Sequence, residues 1–241
     1  MSRPALVIAI AALALPACGR GEKAGAAPSP SSVASGSAPK SAAPVPKETV
    51  ATPADKLGTL APGTGVAVGQ HVPDVRARDL DGKDVELADL LGRGPLLLTF
   101  YRGGWCPYCN FEIREMTRAF PEYQKRGVLP VAVSVDKPEE SAKTTATYTI
   151  PFPVLSDGDL SFVDGFHVAN HLDEAMLAKM KSFGVDTERA SGKAHHTIAI
   201  PALFLVDKQG VVRWAHDDPN ITVRPSTAQI LAAIDAARLG G

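Results

Sequence analysis

The chain has 241 residues, of which 45% are hydrophobic, so it is long enough and apolar enough to bury the core of one folded domain. Its 25 basic and 26 acidic residues give a net charge of -1, so nothing in the charge suggests the positive surface that non-specific binding to nucleic acid requires, and no nucleic-acid partner is expected. Three cysteines exclude a disulfide-rich scaffold and a zinc site built from four thiolates. They leave one pair of thiols and a third cysteine.

The N-terminus has the pattern of an export signal. Arg3 precedes an apolar run over residues 5–15, which is shorter than the roughly 20 residues that a transmembrane helix requires. The run ends in small residues and Cys18, an ending that resembles the lipobox of bacterial lipoproteins. This resemblance implies a signal peptide at residues 1–17, lipidation of Cys18 and, because Gly19 is not acidic, sorting to the outer membrane.

We therefore expect an exported cell-envelope lipoprotein that faces the periplasm and contacts the membrane through its lipid alone. The alternative is an ordinary cleavable signal with an incidental cysteine. Residues 18–65 are expected to consist of the lipidated cysteine and a disordered linker. The linker is rich in Ala, Pro, Ser and Gly and shows no apolar period of 2 or 3.6. The folded domain is expected over residues 66–241.

Strands and helices alternate through this domain. The pattern predicts, in chain order, a hairpin over residues 72–87, a buried strand at 96–101, a helix at 107–126, a strand at 128–135, a helix at about 138–148, a short strand at 152–155, strands at 202–206 and 211–215, and a final helix at 226–239. We expect a three-layer α/β fold with a central mixed sheet, an N-terminal hairpin and a C-terminal helix.

Two helical patterns bear on function. In the helix at 107–126, apolar side chains are predicted to face the core, and Glu112 is expected on the polar side with the other charged residues. Residues 170–196 look like an insertion with apolar residues at helical spacing, namely Leu172, Met176, Leu177 and Met180. These side chains either pack in the core or line a substrate surface.

Two cysteines lie where the buried strand at 96–101 gives way to the following helix. Cys106 and Cys109 are separated by two residues, so they can close a small disulfide ring. The unpaired amides and the dipole of a first helical turn stabilise a thiolate, and Pro107 suits the first helical position. We predict a redox pair. The alternatives are two structural cysteines, or a zinc site completed by two of the histidines at 167, 171, 195 and 196.

The segment FYRGGWCPYC at residues 100–109 resembles the active site of the peroxiredoxin-like branch of the AhpC/TSA family, within the thioredoxin superfamily. The resemblance implies a thioredoxin-like fold for residues 66–241, catalysis by Cys106 and Cys109 without a metal or other cofactor, and a thiol electron donor such as a thioredoxin-type protein. It also implies that Pro201 is the cis-proline that faces the redox cysteines in such folds.

The resemblance implies the reduction of hydroperoxides, an antioxidant activity, in which a thiolate becomes a sulfenic acid that the second thiol captures. Arg102 would then stabilise the thiolate, or be a plain surface arginine. The second hypothesis is a thioredoxin-like reductase of protein disulfides, with Trp105 in the partner surface or filling a gap of the fold. The third is a copper-binding chaperone of thioredoxin fold that uses His195 and His196. The sequence leaves open which cysteine is the nucleophile.

Overall fold

The computed structural model describes residues 46, 48–237 and 239; the predicted signal peptide and Cys18 lie outside the described residues. The strands are β1 (Val50–Ala51), β2 (Arg76–Arg78), β3 (Asp84–Glu86), β4 (Leu96–Phe100), β5 (Leu129–Ser134), β6 (Val154–Ser156), β7 (Ala169–His171), β8 (Thr197–Ala199), β9 (Ala202–Val206), β10 (Val212–Asp217) and β11 (Val223–Arg224). The helices are α1 (Leu87–Leu91), α2 (Pro107–Lys125), α3 (Pro138–Tyr148), α4 (Ser161–Gly165), α5 (Glu174–Ser182), α6 (Thr187–Ser191) and α7 (Thr227–Ala237). Over this part of the chain, no helix combines the length and apolarity that a bilayer crossing requires.

The central sheet is mixed, as predicted. Its strand order is β10-β9-β4-β5-β6-β2-β3, in which β4, β5 and β6 are parallel and the remaining neighbours are antiparallel. Side chains of β4 alternate between two hydrophobic clusters: Leu96, Leu98 and Phe100 belong to one, and Leu97 to the other. Because successive side chains of a strand point to opposite faces, the sheet is covered on both sides. The predicted three-layer α/β fold is confirmed.

The insertion at residues 170–196 has more regular structure than the sequence predicted. It contains α5 and α6 and lies between β7, which ends at His171, and β8, which begins at Thr197; these two strands pair antiparallel. Asp173 begins α5 because its carboxylate accepts the backbone N–H of Met176 at 2.7 Å. The pair and the two helices form a compact layer beside the end of the sheet that carries the cysteines.

Residues 48–65 are packed against the domain, so the expected start of the folded region at Val66 was too late. The backbone N–H groups of Val50 and Thr52 donate to Thr222 and Arg224, each at 3.0 Å, which makes β1 a parallel partner of β11. Further along, the carboxylate of Asp217 accepts the N–H of Ala61 at 2.7 Å. Backbone groups of residues 50, 52 and 61 make the hydrogen bonds that hold this segment in place. It can therefore pack against the domain without a periodic apolar face.

The outer side of β10 is also occupied by this N-terminal part of the chain. The N–H of Asp217 donates to Thr59 at 3.0 Å, and Val212 exchanges hydrogen bonds with Gly69 and Gln70 at 2.8 and 2.9 Å. Gly58, with a φ of +77°, lies directly against the indole ring of Trp214. The outer side of β10 is therefore hydrogen-bonded to the chain itself at both ends of the strand, at Val212 and Asp217.

The expected cis bond before Pro201 is wrong, because the Ile200–Pro201 peptide bond is trans. The trans form is intrinsically favoured for a bond to proline, by about 0.5–1 kcal/mol. In this chain residues 200 and 201 connect β8 directly to β9, and the N–H of Ile200 donates to Val168 at 2.7 Å. The extended path from one strand into the next is accommodated without a cis bond.

Candidate active site

Cys106 occupies the N-cap of α2, and Cys109 lies in its first turn. The N–H of Cys109 donates to the Cys106 sulfur at 3.4 Å, and the two Sγ atoms are 2.7 Å apart as free thiols. Pro107 fills the first helical position, where its missing N–H removes no helical hydrogen bond. A disulfide requires a sulfur separation of about 2.05 Å, so only a small shift separates this pair from a closed ring.

The two thiols have opposite acidity. Hydrogen bonding from Cys109 lowers the pKa of Cys106 to about 7, against the opposing effect of burial, and the charges of Arg102 and Arg224 contribute in the same direction. Burial raises the pKa of Cys109 well above its usual range, and the neighbouring Cys106 raises it further. Of the two thiols, Cys106 is therefore the one that ionises near neutral pH.

The loop before Cys106 is fixed by a buried carboxyl group. Asp136, which follows β5, accepts the N–H of Gly104 at 2.7 Å, and the side chain of Asn110 donates to the Gly104 carbonyl at 2.8 Å. Gly103 has a φ of +145°, and a Cβ there would lie 2.7 and 2.9 Å from the two Asp136 oxygens. No other residue fits at Gly103, because this backbone conformation and this close approach both require glycine.

The structure brings Arg102 and Trp105 together, as neighbours in the same loop. The Arg102 guanidinium lies over the Trp105 ring, 5.0 Å from its centroid, in a cation–π contact. Trp105 is half-buried and packs against both hydrophobic clusters, while its remaining surface lines the groove in front of Cys106. The indole thus fills part of the fold and also belongs to the site.

The sequence analysis missed a buried ion pair behind the cysteines. Glu112 was expected on the polar side of α2, but it is buried, and its carboxylate accepts the Arg224 Nε–H at 3.1 Å. Burial raises the pKa of Glu112, while Arg224 opposes this shift. Arg224 lies close enough to both cysteines for its charge to favour their thiolates. Its position on β11 depends on the pairing with β1.

A groove of about 980 Å³ opens in front of Cys106. One wall consists of α5 and the residues after it, a second wall consists of residues 217–221, and Ile200 and Pro201 lie between them. Pro201 thus lies in the groove with Cys106 although its peptide bond is trans. Of the apolar residues noted in the insertion, Met176 and Met180 line the groove, Leu172 does so while remaining buried, and Leu177 packs at the core.

The histidines lie apart from the cysteines. His171 and His196 have ring centroids 6.4 Å apart, and the Nε2 of His196 is 2.6 Å from the Glu188 carboxylate. None of the four candidate histidines lines the groove. Within residues 48–237, no group of three or more histidine, cysteine, aspartate or glutamate side chains is placed to hold a metal ion. The zinc and copper hypotheses thus find no ligand set in this region.

Comparison with known proteins points to thiol chemistry. Two relatives are named thiol-disulfide oxidoreductase ResA. A protein from Bacillus cereus is 32% identical over 112 residues, which are 46% of this chain and 64% of that protein. A protein from Geobacillus thermodenitrificans is 31% identical over 151 residues, 62% of this chain and 69% of that protein. This chain thus spans about two thirds of the length of these curated relatives.

Solved structures with the same fold are peroxiredoxins. Peroxidoxin BcpB from Mycobacterium tuberculosis superposes with a TM-score of 0.56 at 20% identity, over 73% of this chain and 97% of that one. Reduced Prx3 from Vibrio vulnificus in complex with H2O2 gives 0.57 at 18% identity, over 70% and 99%. At these identities the likeness extends to the fold alone. The model of the AhpC/TSA family matches residues 68–215, and the chain belongs to that family.

Proposed function

We propose that the chain is a thiol–disulfide oxidoreductase in which Cys106 is the nucleophile and Cys109 the resolving thiol. The observation that carries the proposal is the position of Cys106: its thiol has a pKa of about 7, lies on the floor of the groove and has Cys109 directly behind it. Cys109 lines no part of that groove and has a raised pKa, both of which suit the second step rather than the first.

The reaction follows thiol–disulfide exchange. The Cys106 thiolate attacks one sulfur of a substrate disulfide, a mixed disulfide forms, and the other substrate sulfur leaves as a thiolate. Cys109 then loses its proton and attacks Cys106, which closes the ring and releases the second substrate thiolate. Two electrons pass from the cysteine pair to the substrate, and a thiol donor of the thioredoxin type restores the dithiol. The names of the ResA relatives support this chemistry.

Reduction of hydroperoxides is the second candidate. It is favoured by two guanidinium groups, those of Arg102 and Arg224, whose charges act on Cys106. Such charges stabilise the oxygen that leaves when the thiolate attacks a peroxide. In that reaction Cys106 becomes a sulfenic acid and the peroxide leaves as an alcohol or water; Cys109 then displaces water to form the disulfide.

One experiment tests the assignment and separates the two candidates. The fully reduced chain is mixed with a peptide disulfide or with a hydroperoxide, and single-turnover rates are compared with those of a free thiol. We expect fast exchange with the disulfide, loss of reaction in Cys106→Ser, and a stable mixed disulfide at Cys106 in Cys109→Ser. If only the hydroperoxide reacts faster with the chain than with a free thiol, the peroxidase replaces the reductase. If Cys106→Ser still reacts and forms the mixed disulfide at Cys109, the assignment of Cys106 is wrong.

We also propose that the protein works outside the cytoplasm as a lipoprotein. The support is the sequence pattern of residues 1–18, which combines an apolar run with a lipobox-like ending at Cys18. An exported location suits a pair of cysteines whose chemistry is exchange with disulfides, because disulfides persist in the cell envelope.

A further inference from the structure

The groove in front of Cys106 bears on the kind of disulfide that the site accepts. We infer that the wall formed by α5 selects extended polypeptide segments in which an apolar side chain lies next to the disulfide-bonded cysteine. This inference rests on the proposed disulfide exchange and deepens it. It assigns to Met176, Met180 and Phe183 a role in substrate specificity.

The depth of the nucleophile limits how a disulfide can reach it. Cys106 is only 1% exposed, and its sulfur is accessible from the groove. A disulfide-bonded segment therefore has to project into the groove to bring its sulfur to Cys106. A chain segment without its own packed structure can enter, and a groove of about 980 Å³ is at the upper end of the range for sites that enclose a drug-sized ligand.

The wall itself has the character of an apolar docking surface. Met176, Met180 and Phe183 are spaced at i, i+4 and i+7, so they share one side of α5 and its C-terminal end. Met180 is buried and anchors the row, whereas Met176 is 41% and Phe183 73% exposed. In the described part of the chain, large hydrophobic side chains with such exposure are few: Val50, Val68, Met176 and Phe183.

Charged groups of both signs line the groove beside this apolar wall. Asp217 lines the opposite wall, but its carboxylate already accepts hydrogen bonds from Ala61 and Thr64. Lys179 and Arg102 also line the groove, and the Arg102 guanidinium is held over Trp105. An apolar side chain beside the substrate cysteine gains burial against the flexible methionines and Phe183, which a small polar side chain in the same place does not.

The test uses two cysteine peptides of equal length, each joined to thionitrobenzoate in a mixed disulfide. One carries phenylalanine and leucine beside the cysteine, and the other carries serine and glycine. Single-turnover release of thionitrobenzoate by the reduced full chain measures the rate. We expect the apolar peptide to react about tenfold faster than the polar one, and Phe183→Ser to remove most of this ratio by slowing the apolar peptide more than the polar one.

Val68→Ser is the matched control, because Val68 is 57% exposed and lies outside the groove. It should leave the ratio unchanged. Equal rates for the two peptides in the unmodified chain would overturn the specificity role while leaving disulfide exchange intact. An equal loss with both peptides in Phe183→Ser would also overturn it, since that is the signature of a general structural effect. If neither peptide reacts faster than with a free thiol, the proposed function itself fails.

Discussion

Two buried carboxyl groups lie near the first turns of α2, and the protein compensates them in different ways. Glu112 has a full countercharge in Arg224, and removing one partner of such a buried pair typically costs about 3–5 kcal/mol. Asp136 accepts a hydrogen bond from the Gly104 N–H and has no cation beside it, so burial raises its pKa to about 6. Asp136 is therefore the group through which pH acts on the loop before Cys106.

We expect Asp136 to make the protein more stable at acidic pH. Because its pKa is raised from the ordinary value of 3.8 to about 6, the folded state binds a proton more readily than the unfolded chain, and stability falls as pH rises through that range. The titration of Asp136 lowers the free energy of unfolding by about 3 kcal/mol over this pH range. Asp136→Asn should flatten the dependence, measured by urea unfolding under reducing conditions at several pH values from about 4 to 7.

The control for that measurement is Asp89→Asn, which replaces an exposed aspartate of α1 and should retain the slope of the unmodified protein. An Asp136→Asn profile with that same slope would contradict the prediction. Asp157 is a second buried aspartate with a pKa of about 7, so the remaining slope belongs partly to it. The difference between the two profiles isolates Asp136.

At the scale of elements, the pairing of β1 with β11 connects the N-terminal segment to the active site. Thr52 donates to the carbonyl of Arg224, and Gln229 at the start of α7 donates to the carbonyl of Thr52 at 2.7 Å. Residues 48–52 thereby restrain the strand that carries Arg224. The acidity of Cys106, to which Arg224 contributes, depends in part on a segment more than fifty residues earlier in the chain.

Val50→Pro tests the pairing of β1 with β11. It removes the N–H that donates to Thr222, so we expect β1 to separate from β11 more often and limited proteolysis after residue 48 to become faster. A lost hydrogen bond of this kind costs about 1 kcal/mol, which corresponds to a change of about fivefold in the separated population. Ala51→Pro is the matched control, because the donors from this segment to β11 are Val50 and Thr52; equal cleavage of both variants would contradict the pairing.

Elements with a local signal could be predicted from the sequence. The helix expected at 107–126 is observed at Pro107–Lys125, because a proline at its first position and a run of buried apolar residues mark it without reference to the rest of the chain. The helix α5 also had a local signal, since Asp173 is a typical N-cap and Gly184 follows its end. The spacing of its apolar residues did not reveal whether they faced the core or a groove.

Features that depend on distant residues could not be predicted. Glu112 and Arg224 are both charged, and a buried pair of charges leaves the same sequence pattern as two solvated ones. The strands β1 and β11 have two residues each, too few to show a period. The sequence singled out the two cysteines, but which thiol is the more acidic depends on burial and on hydrogen bonds that arise only after folding.

At the scale of the whole molecule, we expect the proposed membrane attachment to be separable from redox chemistry. We expect Cys18→Ala to move the protein from the membrane fraction to the soluble fraction of the cell envelope, because the lipid attached to Cys18 is the proposed anchor. Its rate with a peptide disulfide should be unchanged. The measurement is immunodetection in separated fractions, with Cys106→Ser as the control that remains with membranes; a Cys18→Ala protein that also remains there would rule out the lipid anchor.

The backbone pairing of residues 59 and 69–70 with β10 has a consequence for colloidal behaviour. A sheet whose outermost strand is open can add a strand from another copy, which is a common route to aggregation. In this protein that side is already occupied by the chain itself, and the opposite margin ends in the three-residue strand Asp84–Glu86, where two carboxylates repel an incoming strand. Both margins of the sheet are therefore poor sites for the addition of a strand from another copy.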